Sequence, residues 1–249
     1  NDNPATNAGM DNRSVSFGTD AMGTVTFHGH GGDSVMGQWD DMTPNAYEEV
    51  WDTTASADRR IDGRSGDNLL TYTSPSFSGV TLKAAYQHDH STASSQNTDL
   101  SHYADFGILV SPEMVEGLTV GAAMSDNVAA VKGKNAQKTT GYVKYAVGGF
   151  TIGYQMSEND HDTKSSSQSS SSYGITYAVN DDLSIGYHSH TLEPDSGSSG
   201  TSDQESTGIS FSYTMGGMTL GGAMNETDNS RGLATNDFES YEFNLSFAF

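Results

Sequence analysis

Tyr241-Glu-Phe-Asn-Leu-Ser-Phe-Ala-Phe249, the end of the chain, alternates strictly between large apolar and small or polar side chains. Because a β-strand points successive side chains to opposite faces, this segment predicts a strand with one apolar and one polar face. A soluble β-sandwich would bury the apolar face between two sheets. A membrane barrel would turn that face towards lipid and line a water-filled lumen with the polar face.

Composition is compatible with both architectures. The chain has 249 residues and a mean hydropathy of -0.54, and no apolar run approaches the length of a membrane-spanning helix. A membrane barrel needs apolar residues only at alternate strand positions, so its mean hydropathy resembles that of a soluble protein. Cysteine is absent, which excludes a disulfide framework and a thiolate metal site. Periodicity therefore has to decide the fold.

The charge balance restricts the partners. Lys and Arg total 11 against 32 Asp and Glu, a formal net charge of -21. This argues against a nucleic-acid partner, which needs a basic surface, and favours attraction of cations. An acidic surface adapted to a salty environment is the alternative explanation. The chain starts with Asn1-Asp2-Asn3-Pro4, without a basic or apolar leader, as a mature or trimmed chain would.

Alternation of the same kind recurs along the chain and predicts thirteen strands. They are expected at 13–19, 22–30, 68–75, 80–89, 101–111, 117–126, 138–147, 150–158, 171–179, 183–191, 206–215, 217–226 and 238–249. Short turns rich in Gly, Asn, Asp and Pro alternate with long polar loops, of which 31–67 is the longest. Short turns at one end and long loops at the other are typical of bacterial membrane barrels.

Charged residues on the polar faces favour a barrel over a sandwich. Lys83, Lys144 and Glu242 fall on those faces. Unpaired charges are costly in a dry core and cheap in a wet lumen. We therefore expect an all-β, transmembrane, antiparallel up-and-down barrel. Bacterial barrels have even strand numbers and no exposed edge in lipid, so a count of thirteen indicates that a strand is undetected or that amino-terminal strands are missing.

Two stretches resemble the Gram-negative general porin family, of alphaproteobacterial type. They are Asn68-Leu-Leu-Thr-Tyr-Thr-Ser-Pro-Ser-Phe-Ser-Gly-Val-Thr-Leu-Lys-Ala-Ala-Tyr86 and Arg13-Ser-Val-Ser-Phe-Gly-Thr-Asp-Ala-Met-Gly-Thr-Val-Thr-Phe27. The terminal Phe249 also fits the signal by which outer-membrane barrels are recognised for assembly. The resemblance implies a trimeric, sixteen-stranded channel of the outer membrane, in contact with lipid and lipopolysaccharide.

The resemblance also assigns the segments. It implies that 13–19 is the fourth strand, that the first three strands are missing, and that 1–12 is the tail of the second outer loop. Residues 1–249 would form a single porin domain, incomplete at its amino terminus, with 31–67 as the constriction loop. Thr43-Pro44 predicts a helix start, so we expect a short helix over 45–52. An acidic surface loop held away from the barrel is the alternative.

Charged residues of this loop and of the barrel wall are the predicted pore-lining set. At the constriction we expect Asp33, Asp40, Asp41, Glu48, Glu49, Asp52, Arg59, Arg60 and Arg64. On the wall we expect Arg13, Lys83, Lys144 and Glu242. Acids on an inserted loop facing bases on the wall would set a transverse field that selects solutes by charge and size.

Metal and catalytic motifs are weak. Asp160 and Asp162 offer hard oxygen ligands for Ca²⁺, without the spacing of a calcium loop, so solvated charge is the simpler interpretation. The pairs His28/His30, His88/His90 and His188/His190 each share a strand face, but polar strand-end histidines explain them more simply than a metal site. The chain has no G-x-S-x-G, H-E-x-x-H or phosphate-loop motif. We therefore predict no cofactor and no enzyme activity.

The combined expectation is a homotrimeric porin for passive diffusion of small hydrophilic solutes, with a preference for cations. Two other classes remain open. One is a secreted acidic β-rich adhesin or surface protein, with its apolar faces buried between sheets. The other is an outer-membrane barrel enzyme that acts on lipid.

Overall fold

The structure is a computed structural model that describes residues 12–51, 61–66, 68–88, 100–129, 135–163, 166–194 and 202–248. Its strands are β1 (Arg13–Thr19), β2 (Gly23–His30), β3 (Gly32–Asp33), β4 (Ser65–Gly66), β5 (Leu69–Thr73), β6 (Val80–His88), β7 (Leu100–Val110), β8 (Leu118–Ala129), β9 (Ala136–Val147), β10 (Phe150–His161), β11 (Gln168–Ala178), β12 (Leu183–Pro194), β13 (Gln204–Met215), β14 (Met218–Asp228) and β15 (Phe238–Phe247). One short helix, α1 (Val35–Gln38), and a 3-10 turn at Ser230–Gly232 complete the elements of these residues.

Thirteen of the described strands form one antiparallel sheet in the order β1-β2-β5-β6-β7-β8-β9-β10-β11-β12-β13-β14-β15. Each strand pairs with its neighbour along the chain, apart from the small β3–β4 ribbon between β2 and β5. The thirteen predicted strands are confirmed, whereas the ribbon was not predicted. Strands β7 to β15 have 10 to 12 residues, enough to cross a bilayer when tilted, which takes about 9–11 residues.

The two faces of the sheet differ as the alternation predicted. Phe17, Ile152 and Phe243 are 74%, 51% and 72% exposed on the outer face. Gln155 and Ser206, on the other face, are buried and polar. The apolar faces of the described strands are therefore not stacked on one another, which removes the basis for a sandwich-type adhesin. A large, continuous apolar surface of this kind requires lipid or another protein against it.

Tight glycine turns join the strands at one end of the sheet. Gly148 and Gly149 link β9 to β10 directly, and their φ angles are 56° and 85°. Positive φ at both central residues is what a type I′ hairpin turn requires, and glycine reaches it without steric cost. The turn sets the register that opposes Phe150 to Val147.

None of the described chain forms a helix long and apolar enough to cross a membrane.

The predicted helix over 45–52 is wrong for the described part of that range. In the described part of this connection the helix is α1, which lies earlier and has Ser34 as its N-cap. Ser34 Oγ accepts a 3.2 Å hydrogen bond from Gly37 N. Residues 45–51 are bends and a turn, and Asp52 lies outside the described residues. Side chains of the sheet bind the backbone at Met42 and Ala46, so this stretch follows the wall instead of coiling on itself.

Candidate functional site

The long connection between β2 and β5 lies against the polar face of the sheet. We call its described residues, 31–51 and 61–66, the inward loop. Its two ends meet: Ser34 N donates to Arg64 O at 2.8 Å, and Arg64 N donates to Ser34 Oγ at 3.0 Å. Gly32 pairs with Gly66 in the β3–β4 ribbon just before this point. The loop therefore leaves and rejoins the barrel wall through a narrow neck.

Asp105, on β7, anchors the start of the inward loop. Its Oδ2 accepts hydrogen bonds from Met36 N and from Tyr103 Oη, both at 2.8 Å. Tyr103 Oη also lies 3.0 Å from Ser34 Oγ. The first turn of a helix has backbone N–H groups without an intrahelical partner and a partial positive charge, so a buried carboxylate stabilises it. Asp105 thus fixes α1 to the wall.

A small hydrophobic core lies between the inward loop and the wall. It contains Val35, Met36, Trp39 and Ile61 from the loop, and Ala123 and Tyr142 from β8 and β9. The rings of Trp39 and Tyr142 meet edge to face, with centroids 5.5 Å apart. Burial of these side chains holds the loop down by the hydrophobic effect. This apolar packing lies on the polar face of the sheet, opposite the exposed apolar side chains of the other face.

Side chains of β10 and β12 hold the middle of the inward loop. Gln155 accepts from Met42 N at 2.7 Å through Oε1 and donates to Trp39 O at 2.6 Å through Nε2. Thr43 Oγ1 lies 2.7 Å from His188 Nε2 and donates to Asp41 Oδ1 at 3.1 Å. The amide of Gln155 matches one backbone donor and one backbone acceptor, so it specifies both the position and the direction of the loop.

The loop then crosses to the last strands. Ala46 N donates to Ser210 Oγ at 3.1 Å on β13, and Tyr47 Oη donates to Glu242 Oε1 at 2.8 Å on β15. The path from Asp105 to Glu242 spans the polar face from β7 to β15. The predicted alternative, a surface loop held away from the barrel, is therefore wrong for the described residues.

Trp51 returns towards β12 and packs on two histidines. Its ring centroid is 5.1 Å from that of His188 and 4.4 Å from that of His190, and all three side chains are buried. His190 Nδ1 lies 2.7 Å from Ser172 Oγ. The His188/His190 pair therefore packs against the inward loop. Sequence reasoning had considered it only as a weak metal motif.

Lysine side chains of the wall donate hydrogen bonds to the inward loop. Lys83, on β6, donates to Gln38 Oε1 at 2.6 Å. Lys138, which sequence reasoning missed, donates to Asp62 O near the neck. Lys144 follows Thr140 and Tyr142 at alternate positions of β9 and so belongs to the same face. Arg13 is exposed at the start of β1, where the register with β2 shifts, and its Nη2 lies 3.5 Å from Gly29 O, so its place on the pore wall stays a prediction. Arg59 and Arg60 lie outside the described residues.

The predicted acidic residues include one closely interacting pair on the loop. Burial, and then a hydrogen bond to Glu49 and the charge of Glu49, raise the pKa of Asp41 to about 8. Asp40 adds a smaller repulsion in the same direction. Asp40, Glu48 and Glu49 are partly buried, and Asp33 is exposed at the start of the loop. The raised pKa keeps a proton on Asp41 near neutral pH, so this carboxyl group carries less negative charge there than an exposed aspartate would.

The predicted calcium ligands lie far from the inward loop in the chain, at the long-loop end of β10. Asp162 Oδ2 accepts from Asn135 N at 3.1 Å, which joins the bases of two loops. Asp160 and Asp162 are both exposed. Within the described ranges, no group of three or more His, Cys, Asp or Glu side chains could hold a metal ion. Calcium at these residues remains a prediction.

Several solved structures, a porin among them, share this architecture. The anion-selective porin from Comamonas acidovorans superposes with a TM-score of 0.62 at 14% identity, over 87% of this chain and 67% of that chain. Salmonella typhi OmpF, in complex with daunomycin, gives 0.69 at 13% identity, over 93% and 76%. The trimer form of Vibrio cholerae OmpT, an outer membrane protein, gives 0.57 at 15% identity, over 88% and 70%. At this identity the similarity shows the fold.

The family follows from the sequence. No curated protein matches the chain significantly. A family model described as Gram-negative porin, however, matches residues 1–193, more than half of the chain. The exposed apolar face, the polar face and the inserted loop are consistent with that match. The chain therefore belongs to the Gram-negative porin family, and it is a β-barrel channel protein of the bacterial outer membrane.

Proposed function

We propose that the protein is a passive, water-filled, cation-preferring channel for small hydrophilic solutes, narrowed by the inward loop. The observation that carries this proposal is the attachment of the loop to the polar face at points from Asp105 on β7 to Glu242 on β15. A loop held inside the lumen reduces its cross-section and places its own charges along the path of the solute. Diffusion through such a channel needs no cofactor and no catalytic group.

The charges of the loop support a preference for cations. Asp40, Glu48 and Glu49 lie in the stretch that crosses the wall, and the whole chain carries a net charge of -21. Lys83 and Lys138 are each bound to loop oxygens near the neck. The fold does not determine whether cations or anions are preferred, because a similar structure is an anion-selective porin. The net charge along the loop must therefore decide it.

Ion selectivity provides the direct test. Reversal potentials across planar bilayers under a salt gradient should show higher permeability for cations. Glu48→Gln combined with Asp40→Asn should lower the cation-to-anion permeability ratio about two-fold or more, because two negative charges leave the lumen. Asp181→Asn, in the exposed turn between β11 and β12, is the matched control and should leave the ratio unchanged. An anion preference of the unmodified protein would refute the proposal.

The Asp41–Glu49 pair predicts a dependence of selectivity on pH. Since the pKa of Asp41 is raised to about 8, its carboxyl group is protonated near neutral pH and becomes negative as the pH rises through that value. The cation-to-anion permeability ratio should therefore increase from neutral to alkaline pH. Asp41→Asn should abolish this increase, whereas Asp33→Asn, at the exposed start of the loop, should retain it. An increase that persists in Asp41→Asn would assign the titration to another group.

Assembly and accessory ligands extend the proposal. We infer a homotrimer, because a solved relative in fold is a trimer form and because the exposed apolar face can be covered by neighbouring subunits as well as by lipid. The long loops would face lipopolysaccharide and the medium. Calcium at Asp160 and Asp162 would be an accessory ion at the loop bases, not a cofactor for transport. The protein would have no enzyme activity.

A further inference from the structure

Five glycines on the polar face of the sheet lie directly beneath the inward loop. We call them the glycine track: Gly107, Gly153, Gly174, Gly186 and Gly221. They come from five different strands, namely β7, β10, β11, β12 and β14. The loop residues against them are Val35, Trp39, Pro44, Ala46 and Tyr47. The track thus follows the path of the loop across the wall.

Space, and not backbone conformation, explains these glycines. None of the five has a positive φ, so each could hold an L side chain as far as its backbone is concerned. A Cβ atom on Gly174 would overlap Pro44 O, and one on Gly153 would lie 2.5 Å from Pro44 Cδ. Glycine weakens the interior of a strand, so its repeated use here indicates close approach of a second backbone.

The loop cannot easily slide to accommodate a side chain on the track. Asp105 and Gln155 hold it on one side of Pro44, and Ser210 and Glu242 hold it on the other. Closely packed contacts transmit strain instead of absorbing it. An added methyl group beneath Pro44 must therefore lift the loop away from the wall, towards the axis of the lumen.

We propose that the glycine track sets the height of the inward loop above the barrel wall and thereby the bore of the channel, which makes these glycines determinants of solute size selection. The inference rests on the proposed function, since a bore matters only for a conducting channel. It assigns a role to wall residues that carry no charge and no hydrogen-bonding side chain. The charged loop residues would select by sign, and the track would select by size.

The two tryptophans of the chain report on the loop independently of conduction. Trp39 and Trp51 both lie on the inward loop, and each is 3% exposed. Displacement of the loop would expose them to water. Intrinsic fluorescence of the refolded protein therefore measures docking of the loop, through the emission wavelength and quenching by acrylamide.

Gly174→Ala and Gly174→Val test the proposal, with Gly141→Val as the matched control. Gly141 lies on the outward face of β9, where the nearest atom to an added Cβ is Gly121 O at 3.9 Å. We expect Gly174→Val to lower single-channel conductance to about half, Gly174→Ala to lower it less, and both to shift the tryptophan emission to longer wavelength. Gly141→Val should leave conductance and emission unchanged.

Gly186→Ala offers a milder variant with a rescue. An added Cβ there would lie 3.0 Å from Ala46 N and 3.2 Å from Ala46 Cβ, so the strand should still form. Ala46→Gly removes one of these two contacts and should restore part of the conductance lost in Gly186→Ala. If Ala46→Gly restores none of it, the effect belongs to the strand and not to the loop, and the proposal is overturned.

The remaining outcomes separate the inference from the function on which it rests. If the unmodified protein conducts and Gly174→Val matches it in conductance and emission, the glycine track does not position the loop. If Gly141→Val produces the same losses as Gly174→Val, the track has no special role. If the unmodified protein does not conduct, the channel function fails, while the fluorescence of the variants still decides whether the track holds the loop.

Discussion

Deletion of residues 35–63, with Ser34 joined to Arg64 through an Asn-Gly turn, should increase single-channel conductance by about two-fold or more, because the loop that narrows the lumen is gone. The neck makes this deletion geometrically reasonable. Ser34 and Arg64 are already hydrogen bonded at 2.8 and 3.0 Å, directly after the β3–β4 ribbon. Asn-Gly is the preferred two-residue turn between antiparallel strands.

The identity, the folding and the ion selectivity of the protein with the deletion can each be checked. It removes both tryptophans, so the loss of tryptophan fluorescence verifies the product. The series of strand pairings from β5 along the sheet to β15 does not involve the loop. The protein with the deletion should therefore still fold and insert into bilayers. Selectivity between cations and anions should weaken, because Asp40, Glu48 and Glu49 are removed together. A deleted protein with unchanged conductance would show that the inward loop does not define the narrowest part of the channel.

Ile209→Lys should destabilise the membrane-inserted protein by about 2–4 kcal/mol, the usual cost of a lysine facing lipid near the middle of a bilayer. Ile209 is 54% exposed and lies near the middle of β13, on the apolar face. The long side chain of the introduced lysine would have to reach the membrane–water interface to keep its charge in water. Urea titration of the protein in liposomes, followed by loop fluorescence and by gel mobility, measures the change in the free energy of unfolding.

Ser212→Lys is the matched control for this experiment. Ser212 lies on the same strand but on the opposite, polar face, where a lysine reaches water or the acidic loop. We expect it to lower stability by less than about 1 kcal/mol. Equal losses for both variants would mean that the two faces of β13 have similar surroundings, contrary to a lipid-facing and a lumen-facing side.

Prediction from sequence worked best where the physical signal is local. Alternation of apolar and polar residues identified every long strand, because each strand must present one face to lipid and the other to water. Turn residues such as Gly148 and Gly149 marked the hairpins, because few residues accept positive φ. The same alternation placed Lys83, Lys144 and Glu242 on the polar face.

The loop was predicted less well. Its position and its acidic content were recognised, but the helix was placed over 45–52 instead of Val35–Gln38. Local capping signals favoured Thr43-Pro44, whereas the wall binds the backbone of that stretch through Gln155 and Ser210. These partners are more than a hundred residues away in the chain, so no local pattern can reveal them. Asp105, the glycine track and the contact of His188 with Thr43 were missed for the same reason.

Period-two patterning thus specified the sheet and its two faces, since both depend on neighbours along the chain. The path of the inward loop, the pairing of Asp41 with Glu49 and the close approach of Pro44 to Gly174 depend on which strands the loop crosses. That arrangement arises from contacts between segments far apart in sequence, where a buried hydrogen bond or a missing Cβ selects one docking position. Only the folded chain brings those segments together.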